Sequence, residues 1–147
     1  MSTLKTFEIV PERAGWRNQE AIHAHEIGKD VWPAFCRWMT ANVSGVLTNI
    51  IRDESGGSPT VECMDRELKS IDLVLLPNGV SAIQVTVAIH GRTHIVEAPG
   101  PEWLRVHYDA AGFVMRVEIG YQEGKLLLSF TGALPPGAVF TANSWGE

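Results

Sequence analysis

From residue 60 onward the chain reads as one strand after another, separated by turn residues, and that pattern limits the fold more than any other feature. Asn78-Gly79 between two apolar runs is its strongest hairpin signal, because both residues tolerate the positive φ of a tight turn. TVECM at 60–64 and IDLVLL at 71–76 read as strands before that turn. Residues 80–90 alternate after it, with Ile83, Val85, Val87 and Ile89 on one side and Gln84, Thr86 and His90 on the other. Gly91-Arg92 turns the chain back through THIVEA, and the PGP at 99–101 marks a break. WLRVHY then runs to Tyr108, residues 109–112 connect it to FVMRVEIGYQ, and Glu123-Gly124 leads into KLLLSFT. A last short strand, AVFTA, follows Leu134-Pro135-Pro136-Gly137.

Register can be tested by parity, since a slip of one residue moves every side chain to the other face. Tyr108 facing Phe113 sets Val106 against Met115 and Leu104 against Val117. Gln122 facing Lys125 sets Tyr121 against Leu126, Ile119 against Leu128 and Val117 against Phe130. Both hairpins then place their apolar residues on one dry face. The opposite face collects Trp103, Arg105, His107, Arg116, Glu118, Ser129 and Thr131. In this register Arg105 lies opposite Arg116, a like-charge pair that Glu118 relieves from the diagonal.

The first third reads differently. LKTFEIV at 4–10 is a strand closed by Pro11. Asn18 caps a helix through QEAIHAHEI that Gly28 ends. Asp30 caps a second helix, with Pro33 tolerated in its first turn. Val31, Phe35, Met39, Val43, Val46, Leu47 and Ile50 recur at steps of three and four, which predicts a long helix to about Arg52 with one buried stripe. The expected fold is a single α+β domain over 1–147. Its N-terminal strand and two helices, the second long, pack on one face of a curved, mostly antiparallel meander of six to seven strands. This order of elements is similar to that of a helix-grip ligand-binding fold, but LPPGAVFTANSWGE cannot supply the long C-terminal helix such folds carry.

Charge narrows the partners. The net charge is −5, and no basic face exists to displace counterions from phosphates, so nucleic acid is not an expected ligand. Residues 53–72 hold six acidic side chains against two basic ones and so carry −4 of that total. Glu62, Asp65 and Glu67 can therefore steer a basic protein partner. No apolar run approaches the length of a membrane span, and MSTLKTFEIV lacks the pattern of a secretory signal. Two cysteines without a C-x-x-C are too few for a disulfide framework. A reduced, cytoplasmic protein is the expectation.

Motifs for chemistry are missing. His23 and His25 are two apart, which on a helix points them in opposed directions, and no H-E-x-x-H or Cys/His quartet occurs. No G-x-S-x-G, Walker motif or G-x-G-x-x-G occurs either. No catalytic residue, metal or cofactor is expected. Trp and Arg dominate binding hot spots, so Trp103, Arg105, His107, Arg116 and Glu118 form the candidate contact patch. Trp38 joins them, at the border of the helical stripe. The leading expectation is an inhibitor or immunity-type protein that neutralises a basic enzyme or toxin by direct contact. The alternatives are a small-molecule binder or enzyme with a pocket between sheet and long helix, and a homo-oligomer subunit.

Overall fold

A computed structural model describes residues 23–141. The strand expected at 4–10 and the start of the first expected helix lie outside them. The elements are β1 (His23–Glu26), α1 (Trp32–Val43), β2 (Leu47–Glu54), β3 (Thr60–Leu75), β4 (Ser81–Ile89), β5 (Arg92–Pro99), β6 (Trp103–Tyr108), β7 (Val114–Tyr121) and β8 (Gly124–Phe130). A single turn of 3-10 helix, Lys29–Val31, precedes α1. The strands form one antiparallel sheet in the order β1-β6-β7-β8-β2-β3-β4-β5.

Connectivity requires the sheet to curl. Laid flat, β5 and β6 would stand six strand spacings apart, about 29 Å. Only three residues separate Pro99 from Trp103, a reach of about 15 Å at full extension. The far edge therefore returns beside β6 and β7. Within the link, the Gly100 N–H bonds Ser81 O at 2.8 Å and the Glu102 N–H bonds Gly120 O at 2.7 Å. β3 supplies much of the bend. It is one 16-residue strand where two were expected, with register shifts along its length and Asp65 at φ 52°. Such bulges kink a strand and increase its twist.

Arg52 holds the curl together. It points inward from β2 and donates from Nε to Glu62 (2.8 Å), from Nη1 to the Tyr121 hydroxyl (2.9 Å) and from Nη2 to Glu97 O (3.0 Å). One guanidinium thus ties β2, β3, β7 and β5. The Tyr121 hydroxyl in turn donates to Glu54 at 2.7 Å.

The helical half differs from expectation in three ways. HAHE is a strand, because His23–Glu26 pairs along β6 from Tyr108 to Arg105. The second helix stops at Val43. Gly45 takes φ 90°, a conformation glycine adopts without strain, and 47–54 becomes β2. With these two segments as strands, the sheet has eight strands among the described residues rather than six or seven, and one 12-residue helix stands there where two were expected.

Phe35, Met39 and Val43 keep the buried stripe, and the helix lies along β3 where β2 leaves off. There Thr40 Oγ1 accepts from Ile71 N–H at 3.0 Å and donates to Ile71 O at 3.2 Å, satisfying a stretch of sheet edge that has no strand beside it. The space between helix and sheet is filled. Phe35, Met39, Ile50, Leu68, Ile83, Val85, Leu104, Val106, Ile119, Leu126 and Leu128 are all fully buried. Trp32 also belongs to this core, its indole N–H donating to Ile27 O at 2.9 Å.

Candidate functional site

The pleat of β6 and β7 sends Leu104, Val106, Val117 and Ile119 inward, so Trp103, Arg105, His107, Arg116 and Glu118 share the outer face. The registers differ from expectation by two residues in each hairpin. Val106 faces Val117, and Val117 faces Leu128. In the first hairpin a bulge between His107 and Tyr108 sets Tyr108 against Val114, so the ladder steps over Met115. In the second the turn residues are Gln122 and Glu123, because Tyr121 pairs with Gly124. A Cβ on Gly124 would overlap the backbone of Asp53 and Glu54, so this glycine is needed for close strand approach rather than for the turn. Arg105 consequently lies opposite Glu118, not Arg116, and Arg116 lies opposite His107.

Glu118 is the centre of this cluster and is buried, with only 9% of its side chain exposed. His107 Nε2 lies 3.1 Å from Oε2, while Arg105 Nη1 and Lys125 Nζ lie 3.6 and 3.8 Å from Oε1. Arg105 also reaches Glu26 at 3.9 Å. Among the described residues Glu118 Oε1, His107 Nε2 and Arg116 Nε are buried without a well-aligned hydrogen bond, the 3.1 Å His107–Glu118 approach included. Unsatisfied buried polar atoms are uncommon in folded proteins, and here three share one patch. Burial, and then the Arg116 charge, push the His107 pKa down against the opposing pull of Glu118. The Trp103 indole lies flat over Gly120, where any Cβ would overlap it, and the Arg105 guanidinium stacks above the indole at 4.6 Å.

The cross-strand registers join this cluster to an apolar strip. Glu26, Arg105, Glu118, Leu127, Ile51 and Val61 form one row across β1, β6, β7, β8, β2 and β3. Its first half is charged and its second half apolar. Val61 is 57% exposed, and Met64 on β3 and Leu47 on β2 are 50% and 40% exposed. These are three of the six large apolar side chains exposed among the described residues. They lie on the neighbouring strands β2 and β3 rather than scattered singly over the surface.

The remaining candidates separate. Trp38 is half-buried on α1, stacked 6.1 Å from Phe35 and edge-on to Phe140 at 6.4 Å. Glu62 is engaged by Arg52, so reversing its charge would disturb the curl as well as any steering. Asp65 and Glu67 are exposed on β3 beside the apolar strip. The thiols are poor nucleophiles. Burial, with help from Asp72, pushes Cys36 up to about 12, and burial raises Cys63. Among the described residues no three His, Cys, Asp or Glu side chains converge as metal ligands, and no helix is long and apolar enough to cross a membrane.

No family model, curated protein or solved structure matches this chain.

Proposed function

We propose that this chain is a cytoplasmic protein-binding domain of inhibitor or immunity type, which neutralises a partner enzyme or toxin by laying the outer face of its curled sheet on it. The observation that carries this reading is the row from Glu26 to Val61, charged at one end and apolar at the other. Interfaces combine apolar and polar surface in one patch, as this row does. Trp103 and Arg105 supply the residue types that dominate binding energy. Asp65 and Glu67 border the strip and favour a partner that is basic on that side. Two buried, unpaired thiols fit a reducing compartment. The interior between sheet and helix is occupied by fully buried side chains, so the observations favour a surface over an internal pocket.

The test is site-specific photo-crosslinking in extract of the source cell, with the crosslinker at Met64 or at Asn78 on the β3–β4 turn. A discrete protein should be captured from Met64 and not from Asn78. Once that protein is purified, Val61→Asp should weaken its binding about 30-fold or more, the scale of a hot-spot loss. The same variant should leave folding intact, because Val61 is mostly exposed. Equal capture from both positions, or an unchanged affinity for Val61→Asp, would remove the proposal.

A further inference from the structure

A cavity of about 280 Å³ opens where β7 begins and β8 ends, lined by Asp109, Phe113, Phe130, Thr131 and Leu134 among others. We propose that it takes one arginine side chain of the docking protein, an inference that rests on the reading of the outer face as a docking surface and names the partner's chemistry there.

Pockets for drug-sized ligands span about 300–1,000 Å³, so this one suits a single long side chain. Its floor of Phe113, Phe130 and Leu134 suits a methylene stem, and the two phenylalanines suit a flat cation. Among the described residues its only charged lining group is Asp109. That carboxylate caps its own turn through Oδ1, which accepts from the Ala111 and Phe113 N–H groups, both at 3.0 Å. Oδ2 is then left to accept from a ligand. A second carboxylate stands at the rim, because the Thr131 hydroxyl donates to Asp65 at 2.8 Å. An apolar, partly aromatic floor under two carboxylates, with no lysine or arginine in the lining, complements a guanidinium better than a leucine or an acid. A planar fork also matches carboxylate geometry where an ammonium does not.

The cavity is continuous with the docking face. The Thr131 N–H bonds Leu47 O at 2.8 Å, and Leu47 is the end of the exposed apolar strip. A partner covering that strip would therefore bring a neighbouring side chain to the cavity mouth.

The experiment titrates N-acetyl-arginine methylamide into the isotopically labelled chain and follows backbone amide resonances. Saturable shifts are expected at Phe113, Thr131, Gly132 and Leu134. The arginine probe should bind at least about fivefold tighter than N-acetyl-norleucine methylamide, which has the stem without the charge. Asp109→Asn should abolish that advantage while keeping the turn, since the carboxamide oxygen still accepts from Ala111 and Phe113. Absence of saturable shifts at these amides, equal binding of the norleucine probe, or an undiminished advantage in Asp109→Asn would each overturn the inference. Val61→Asp separates the two claims. If arginine still binds but this variant leaves partner affinity intact, the docking-face reading fails alone. If the probe fails while the variant abolishes partner binding, the cavity inference fails alone.

Discussion

Replacing Arg52 with leucine is expected to lower folding stability by about 2–4 kcal/mol, through the loss of three hydrogen bonds and of the cation that neutralises Glu62. The side chain is 21% exposed and that of Glu62 is 23% exposed, so solvent can replace little of what is lost. Hydrogen bonds to charged groups contribute more than neutral ones, and an acid left without its cation in a mostly buried site is costly. The effect should also have a direction. β5 is held to β2 and β7 by this guanidinium, so amide exchange should rise first in 92–99. Urea unfolding followed by tryptophan fluorescence gives the magnitude, and exchange mass spectrometry gives the location. A loss under about 0.5 kcal/mol would be typical of an exposed pair instead, and would mean that the curl does not depend on Arg52.

Phe35→Ala is expected to be at least as damaging, at about 3–5 kcal/mol, the range for emptying a fully buried aromatic site. Phe35 has no exposed surface and belongs to the central apolar cluster. The helix has little stability of its own, since 12 residues is marginal for an isolated helix in water. It is held by this stripe and by the Thr40 contacts with Ile71. Loss of Phe35 should therefore release α1 together with the unpaired part of β3. Chemical denaturation and helical circular dichroism read both consequences. A loss below about 1 kcal/mol would show that α1 is not seated in the concave side of the sheet.

The dry face of the sheet was legible in the sequence, and the reason is specific. Both hairpin registers differ from the parity reading by two residues, an even number, so Leu104, Val106, Val117, Ile119, Leu126 and Leu128 still face inward. The bulge beside Met115 and the close approach of Gly124 to Asp53 caused those shifts. Both are contacts between segments, which local alternation cannot carry. The stripe of Phe35, Met39 and Val43 was equally legible. Its apparent continuation through Val46, Leu47 and Ile50 was not, because apolar residues at steps of three and four also suit a strand buried on one face. Gly45 was the signal that the helix ends.

That misreading hid half of the candidate site. With the helix expected to run to about Arg52, Ile51 could not be placed beside Leu127, and the apolar strip had no neighbour. One clue was present. Leu126, Leu127 and Leu128 are consecutive, and a strand with a single dry face must turn the middle one outward. That Trp103, Arg105, His107, Arg116 and Glu118 share one face was legible because it depends only on parity within β6 and β7. Arg52 gave no local sign that it would point inward, since its partners come from strands far away in sequence.

The most direct measurement is hydroxyl-radical footprinting of the chain, free and bound to the protein captured through Met64. Oxidation of Met64, Trp103 and Leu127 should fall together in the complex, while Leu75, three-quarters exposed at the end of β3, stays as reactive as before. Protection confined to the turn around Leu75 and Val80, with Met64 and Trp103 unchanged, would place the partner elsewhere and contradict the account.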